Sequence, residues 1–433
     1  MLTVIEIGLV VICLCIYLFY LPRLIIKKDV KLLKILISAI VLQNFFCILA
    51  SNFLGGIWIQ IIIILKEIVM YGSIFYHIII QNKCRIRKRL LVFLLVVIVC
   101  IPFMFIGNVD IYTRFICFRQ ILTPIVLVLY GCTCRFKINE LNDIIYFVVN
   151  LGILQSIFGI CERFILGDSF WTMLHIEKYM VNKGFAPWIY NNGLPGNFYS
   201  ADLYDLVGSV RRMVGIMADP LLTGHFLAFC LIVLLYTNIY KDRLKKNIAI
   251  FLLTIAVLLT LSKGAVLVIG IAFWYKVYRN NKAIALMGSI IPIGMVIYII
   301  SNNTFATVSS HLNGLTSSLD TLLGGGMGTS GNLSHLFGGA SSTSGESYFG
   351  ALLGQIGIIG FLTFVCSFAL QLVKLLKYNK SELAHATFIY IAAVLIEALT
   401  SESAINFVGS GIGFIVFGII LMLETGESYG SKA

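Results

Sequence analysis

Charged side chains are scarce in this chain. Only 12% of its 433 residues are Asp, Glu, Lys or Arg, whereas 59% are hydrophobic and the mean hydropathy is +0.96. Soluble domains are about one quarter charged. The composition therefore excludes soluble enzymes, secreted proteins and disordered chains, and it predicts an integral membrane protein.

Several motifs that would carry chemistry are also missing. The 11 cysteines include no C-x-x-C pair, so neither a zinc site nor a disulfide framework is expected. Without G-x-x-x-x-G-K-[ST], ATP-driven transport by this chain alone is not expected, and there is no H-E-x-x-H. We therefore expect no metal and no cofactor. The N-terminus lacks a basic region and a cleavage site, so we expect it to form the first span rather than a cleaved signal.

Apolar runs recur along the whole chain. At about 20 residues per crossing they predict about 12–13 transmembrane helices in an all-α, polytopic fold, with one integral-membrane domain over residues 1–433. The predicted spans are 2–20, 35–53, 56–81, 90–107, 120–134, 144–166, 221–240, 247–261, 264–278, 283–301, 347–373, 383–400 and 404–423.

Basic residues are concentrated in alternate connections between these spans. Twenty-two of the 32 Lys and Arg residues follow odd-numbered spans, and only eight lie in the opposite connections. Because Lys and Arg favour the cytoplasmic side, this split predicts an outward N-terminus and explains the net charge of +12 without nucleic acid. Two long loops, 167–219 and 302–346, are then expected on the outer face.

The two outer loops differ in composition. Loop 302–346 is rich in Gly, Ser and Thr, so we expect a flexible lid or product gate there. Loop 167–219 mixes turn residues with aromatic rings, which suits either stacking on sugars or an aromatic belt at the membrane interface. These rings belong to Phe170, Trp171, Trp188, Tyr190, Phe198, Tyr199 and Tyr204.

The segment 211–220, RRMVGIMADP, directly precedes the seventh span. Arg211 and Arg212 lie at the predicted outer surface, against the trend of the basic residues. Guanidinium groups bind phosphate through two parallel hydrogen bonds. Both arginines are therefore candidates to hold a diphosphate, with contact to lipid headgroups as the alternative. Arg114 and Arg119, near the outer start of the fifth span, could help to bind a diphosphate or could anchor the helix.

Four segments, in order along residues 144–370, resemble the superfamily of O-antigen polymerases and O-antigen ligases. The first fills the pattern R-x-x-G-x-x-x-[ND]-P with Arg212, Gly215, Asp219 and Pro220. The second, LTLSKGA at 259–265, is similar to L-T-x-S-R-G-A, with Lys263 in place of arginine. The third is the glycine run LGGGMG at 323–328.

The fourth segment separates the two branches of that superfamily. ESYFGALLGQIGIIG at 346–360 resembles the ligase pattern H-N-x-x-L-x-x-L-x-E-x-G-x-x-G. Glu346 stands in place of the ligase histidine, and Gln355 replaces the later acid. An E-S-[YF] start is more similar to capsule and exopolysaccharide polymerases, so the resemblance favours the polymerase branch.

The resemblance implies a GT-C-like arrangement and a glycosyltransferase of the bacterial inner membrane, with its site facing the periplasm or cell exterior. The donor would be a glycan on undecaprenyl diphosphate and the acceptor a lipid-linked repeat unit. A sugar hydroxyl attacks the anomeric carbon and undecaprenyl diphosphate leaves. Implied partners are this lipid-linked glycan, membrane lipid and a chain-length regulator, and no nucleic acid.

Glu346 and Arg212 are the catalytic residues that follow from this resemblance. Glu346 would accept the proton of the acceptor hydroxyl, and Arg212 would hold the leaving diphosphate. A plain helix-capping role is the alternative for Glu346, Glu397 and Glu402. The expected substrate-binding residues are Arg211, Arg114, Lys263, Glu397, Glu402 and Tyr348.

Two other functions stay open at this point. An O-antigen ligase would transfer glycan to lipid A core, and a flippase or other transporter would move the polyprenyl-linked oligosaccharide. Transporters are typically built from inverted repeats, which this sequence does not show. Lys66 and Glu67 interrupt the third span, where they could serve a proton relay or pair with Glu162 or Arg163.

Labelling of a single cysteine tests the predicted topology. Tyr190→Cys, in a Cys-less background, is expected to react with an impermeant maleimide added outside the inner membrane, because 167–219 is predicted to be external. Labelling only after inner-membrane permeabilisation would overturn the topology and, with it, an outward-facing site.

Overall fold

The computed structural model describes residues 2–80, 84–184, 190–191, 193–200, 208–282, 318, 322–337, 346–378 and 381–423. The structure is 79% helical with almost no sheet, which confirms the all-α, polytopic fold. Its helices are α1 (Leu2–Ile26), α2 (Val30–Ala50), α3 (Gly56–Phe75), α4 (Cys84–Phe103), α5 (Ile111–Thr133), α6 (Ile138–Cys161), α7 (Gly167–Met173), α8 (Ile176–Lys183), α9 (Pro220–Tyr236), α10 (Arg243–Thr260), α11 (Lys263–Asn280), α12 (Asn332–Leu336), α13 (Tyr348–Tyr378), α14 (Glu382–Glu397) and α15 (Gly411–Leu423).

Irregular turns and four short strands complete the described chain. A π-helical turn follows α3 at Tyr76–Ile80, and another follows α6 at Glu162–Leu166. The strands β1 (Tyr190–Asn191) and β2 (Leu194–Pro195) pair antiparallel, as do β3 (Tyr199–Ser200) and β4 (Val210–Arg211). Short 3₁₀ turns lie at Gly196–Phe198 and Glu402–Ala404.

The predicted spans correspond to long helices. A helix overlaps every predicted span except 283–301, which lies outside the described residues. The predicted span 120–134 is part of the longer helix α5, whose first half was not predicted because Arg114 and Arg119 interrupt its apolar run, and 264–278 corresponds to α11. Within the described residues, five segments are long and apolar enough to cross a membrane: Val30–Ala50, Gly56–Phe75, Ile111–Thr133, Ile138–Met173 and Tyr348–Lys377.

The helices form two compact units. Unit 1 contains Met1–Lys88, Val126–Ser262 and Phe407–Ala433, and unit 2 contains Arg89–Ile125 and Lys263–Asn406. The boundary passes through α5 itself. Because each unit gathers segments that are far apart in the sequence, hydropathy along the chain does not reveal them.

In unit 1, α9 is an almost completely enclosed helix. Every residue from 223 to 234 is buried, as expected for a helix that is apolar on all sides. Its start is fixed by Asp219, whose Oδ1 accepts the N–H groups of Leu221 at 2.8 Å and Leu222 at 3.0 Å. Pro220 occupies the first helical position, where no N–H is needed.

Two glycines allow α5 and α15 to touch within unit 1. A Cβ at Gly131 would overlap the carbonyl of Ile415, and a Cβ at Gly418 would overlap the carbonyl of Val128. Small residues let membrane helices pack backbone to backbone in this way. The contact therefore tolerates no larger residue at either position.

In unit 2, α13 is broken at Gly357. The residue has φ +67° and ψ −176°, so the Ile358 N–H leaves the helix and donates to Leu322 O at 2.8 Å. The carbonyls of Gly354 and Gln355 accept the N–H groups of Gly325 and Gly326 at 2.8 and 3.0 Å. Segment 322–331, here called the glycine loop, is thus joined to the break by backbone hydrogen bonds.

The glycine loop is more ordered than its composition predicts. The N–H groups of Gly325 and Gly326 are bonded to α13, and Met327 N donates to Phe103 O at 2.8 Å. The remainder of loop 302–346 lies mostly outside the described residues, so a lid or product gate there stays a prediction.

Substitution of Gly418 tests the close contact in unit 1. Gly418→Ala is expected to destabilise the protein by about 1–3 kcal/mol, the usual effect of overpacking a close contact. Gly270→Ala in α11 is the matched control, because nothing lies within 4 Å of the added methyl. Thermal unfolding in detergent should show a lower midpoint for the first variant only, and equal midpoints would refute the contact.

Candidate functional site

Glu346, Glu397 and Glu402, here called the acidic cluster, lie in unit 2 where α13 begins and α14 ends. The Phe349 N–H donates to Ala398 O at 3.1 Å, which joins the two helix ends. The Glu402 N–H donates to the carbonyl of Glu346. The structure therefore brings these two predicted residues together.

Glu402 is buried and holds the start of α12. Its carboxylate accepts the N–H groups of Asn332 at 2.5 Å and Leu333 at 3.1 Å, and Gln120 Nε2 at 3.0 Å. Burial raises the pKa of Glu402, and the nearby Glu346 charge raises it further, while these three hydrogen bonds oppose the shift. Glu402 therefore caps the start of α12, which is one of the two roles that the sequence suggests for it.

Glu346 is exposed and is not the cap of α13. Ser347 fills that role, because its Oγ accepts the Gly350 N–H at 2.9 Å. The Glu346 side chain precedes the cap and is solvent-accessible. The hydrogen bond that caps α13 is therefore made by Ser347, and the role of Glu346 as a base stays a prediction.

Glu397 lies against the first turn of α11. A Cβ at Gly264 would overlap its carboxylate, and the side chain of Glu397 is buried. A carboxylate there faces the positive end of the α11 dipole. Lys263, the predicted substitute for the family arginine, is the first residue of the same helix.

Two of the predicted substrate-binding residues serve the fold of unit 2. Tyr348 is 2% exposed, packs against Phe349 and Phe364, and donates to Ile121 O at 3.5 Å. This burial does not fit a direct contact with substrate.

Arg114 donates to the carbonyls of Val109, Met104 and Gly107 at 2.6, 3.0 and 2.5 Å, so it shapes the turn after α4.

Gln355 connects α13 with the glycine loop. Its Nε2 donates to Ser330 O at 2.7 Å, and its Oε1 accepts the Gly328 N–H at 3.2 Å. A side-chain amide offers a donor and an acceptor at once without charge, which an ionised carboxylate does not. The amide of Gln355 therefore holds the glycine loop against α13.

In unit 1, Arg212 positions the end of α10. Its guanidinium donates to Thr260 O at 2.9 Å, Leu261 O at 3.3 Å and Asn197 O at 3.4 Å. Cationic side chains stabilise the carbonyl end of a helix. Arg212 therefore has a structural role in addition to any contact with a ligand.

Arg211 lies between two carboxylates. Its Nη2 is 2.6 Å from Glu162 Oε1, and its Nε is 2.6 Å from Asp168 Oδ1. The fully buried Glu162 also accepts Trp171 Nε1 at 2.7 Å. We call these four residues the arginine network, and a buried acid is expected to be paired in this way.

Tyr199 extends the arginine network at its exposed side. Its hydroxyl donates to the carboxylate of Asp168. Burial, together with this hydrogen bond, raises the pKa of Tyr199 to about 12. The hydroxyl therefore stays protonated and remains a donor over the physiological range.

Sequence reasoning missed the two acids of the arginine network. Glu162 was considered as a partner of Lys66 or Glu67, but it pairs with Arg211. Lys66 Nζ donates to Ile63 O at 3.0 Å and lies 4.8 Å from the Phe407 ring centre. One sequence signal could have indicated this pairing: the acids Glu162 and Asp168 stand on either side of Gly167. Gly167 has φ +62°, which changes the direction of the chain after α6.

The glycine of the first motif is required by close contact with α6. Gly215 has φ +58°, and a Cβ there would overlap Gln155 Nε2. Gln155 Oε1 accepts the Ile216 N–H at 3.1 Å, and its Nε2 donates to Thr223 Oγ1 at 3.2 Å. The motif residues thus fix the path of 211–220 across α6.

Two aromatic residues of loop 167–219 lie in a buried hydrophobic cluster. Trp171 and Phe198 are fully buried, with ring centroids 5.9 Å apart. These two rings form neither a sugar platform nor an interfacial belt, which corrects both interpretations for them. Trp188 and Tyr204 lie outside the described residues.

Comparison of the chain with family models, curated proteins and solved structures gave no match. The described residues also contain no group of three or more His, Cys, Asp or Glu side chains that could hold a metal ion.

Substitution of Gln355 tests its paired hydrogen bonds. Gln355→Glu is expected to destabilise the protein by about 3–5 kcal/mol at neutral pH, because a buried carboxylate cannot donate to Ser330 O. A protonated carboxyl can both donate and accept. The variant's unfolding midpoint, relative to the parent protein, should therefore rise as the pH is lowered from 8 to 5.

The same measurement on Ser330→Ala provides a control, since Gln355 contacts the backbone carbonyl of that residue. A pH-independent difference between Gln355→Glu and the parent would contradict the donor role of the amide.

Proposed function

We propose that this protein is a glycosyltransferase that joins polyprenyl-diphosphate-linked oligosaccharide repeat units at the outer face of a bacterial inner membrane. The acceptor hydroxyl attacks the anomeric carbon of the donor glycan, the bond from that carbon to the diphosphate breaks, and the hydroxyl proton passes to a carboxylate. Polyprenyl diphosphate leaves with the electron pair. The leaving group is already activated, so the reaction requires no nucleotide.

The position of Glu346 carries this proposal. Its carboxylate is solvent-accessible, while Ser347 caps α13 and the Glu402 N–H fixes the Glu346 backbone. The main chain is therefore held and the side chain is exposed, which is the arrangement that a general base needs.

Of the two adjacent arginines, Arg212 is the better candidate for the diphosphate. Arg211 is held in ion pairs with Glu162 and Asp168, and Arg212 is oriented by hydrogen bonds to the carbonyl oxygens of Thr260 and Leu261. A fixed guanidinium stabilises an anion that develops during the reaction. Because Arg212 also positions the end of α10, its removal would affect folding as well as catalysis.

One observation favours transport of the same lipid-linked glycan as a second candidate. Discontinuous membrane helices are a feature of transporter binding sites, and α13 is discontinuous at Gly357. The carbonyls of Gly354 and Gln355, however, are bonded to the glycine loop. We therefore rank glycosyl transfer first.

Glu346→Gln tests the proposed base. Incubation of the purified protein in nanodiscs with a polyprenyl-diphosphate repeat unit is expected to produce a ladder of lengthened glycans. Gln keeps the shape but accepts no proton, so the rate should fall by roughly 10²–10⁴-fold with substrate binding retained. Glu382→Gln, an exposed acid at the start of α14, is the control and should react normally.

The alternatives give different results in this assay. A single transfer to lipid A core would indicate a ligase. No product, together with movement of the lipid-linked glycan across proteoliposome membranes, would establish the transporter. A ladder formed equally by Glu346→Gln and the parent would remove Glu346 from the mechanism.

A further inference from the structure

A polar cleft lies in unit 1, apart from the arginine network. One wall is the turn between α2 and α3, and the other is α8. The cleft has a volume of about 470 Å³, within the range of roughly 300–1,000 Å³ typical of small-molecule sites. Its lining residues are Ser51, Asn52, Phe53, Leu54, Glu177, Lys178, Val181 and Asn182.

The chemistry of the polar cleft favours an uncharged ligand rich in hydroxyl groups. Asn52 and Asn182 line the cleft with side-chain amides, a group that can hydrogen-bond with sugar hydroxyls. Glu177 and Lys178 are exposed and cancel in formal charge, so an anion such as phosphate gains no net attraction. Phe53 supplies an apolar surface for the C–H face of a sugar ring.

The walls of the polar cleft are held by hydrogen bonds. Asn182 Nδ2 donates to Leu54 O at 3.3 Å, which joins α8 to the turn before α3. The Tyr179 hydroxyl donates to Asn44 Oδ1 at 3.0 Å, and Asn44 Nδ2 donates to Met217 O at 2.7 Å. The cleft is thus preformed and connected to the segment that carries Arg212. A preformed site binds with less loss of conformational entropy.

We infer that the polar cleft binds the oligosaccharide part of the substrate, as a neutral glycan subsite. The inference rests on the proposed function, which supplies a lipid-linked glycan at this face. The distribution of basic residues predicts the same outer side for the α2–α3 turn and for loop 167–219. Both walls would then meet the glycan rather than the cytoplasm.

Saturation-transfer NMR of the full chain in lipid nanodiscs tests the subsite, without a sugar-based detergent. The probes are lactose, maltose and N,N′-diacetylchitobiose. At least one disaccharide is expected to bind saturably. Val181→Trp fills the cleft and should weaken that binding at least tenfold, and Lys178→Ala should also weaken it.

Met173→Trp is the matched control for the steric variant. Met173 in α7 does not line the cleft, and its exposure of 55% equals that of Val181, 54%, to within a percentage point. This control should bind like the parent. Equal thermal unfolding of both Trp variants would show that the loss of binding is not a loss of fold.

Three results would overturn the inference: no saturable binding of any disaccharide to the parent, equal binding by Val181→Trp and the parent, or displacement of a bound sugar by inorganic phosphate alone. The ladder assay distinguishes these from failure of the proposed function. A ladder without cleft binding refutes only the subsite, whereas cleft binding without a ladder refutes only polymerisation.

Discussion

A backbone N–H or C=O group in an apolar environment must have a hydrogen-bond partner, and this constraint explains most of the irregular features of the protein. Each unbonded group costs several kcal/mol in a bilayer interior. Where α13 breaks at Gly357, the glycine loop supplies the lost partners. Where α10 ends, the guanidinium of Arg212 does so. Helices α9, α12 and α13 begin on Asp219, Glu402 and Ser347.

The motif residues are therefore required for the backbone conformation, in addition to any role in binding or catalysis. Gly215, Asp219 and Arg212 lie within one short segment, and each satisfies or avoids a specific backbone contact. A substitution that abolishes activity at these positions would not by itself separate folding from catalysis. Glu346 differs because its neighbour Ser347 holds the helix start, so function can be examined there with less effect on the fold.

The sequence predicts those features that depend on neighbouring residues. Apolar runs located the spans because a membrane helix needs about 20 apolar residues in succession, and Asp219-Pro220 marked a helix start. The sequence did not predict the break at Gly357, because spaced glycines are equally typical of a packed helix face, and the partners of the break lie some 30 residues upstream. The pairing of Glu162 with Arg211 was also missed, since the two are separated by 49 positions.

For the candidate site, the sequence selects residues but does not reveal their environments. Glu346 and Glu402 were both selected, and the structure joins their backbones. Tyr348 was selected from its position in a motif, but its ring is buried among phenylalanines. Burial depends on α5 and on the later turns of α13, so a local pattern cannot reveal it.

The paired hydrogen bonds of Gln355 have a consequence for regulation. An amide carries no titratable proton and no net charge, so the attachment of the glycine loop at this point does not respond directly to acidity or to the membrane potential. A carboxylate in the same place would make the loop a sensor of both. Because Gln355 is uncharged, its two hydrogen bonds to the loop are not altered directly when the pH or the membrane potential changes.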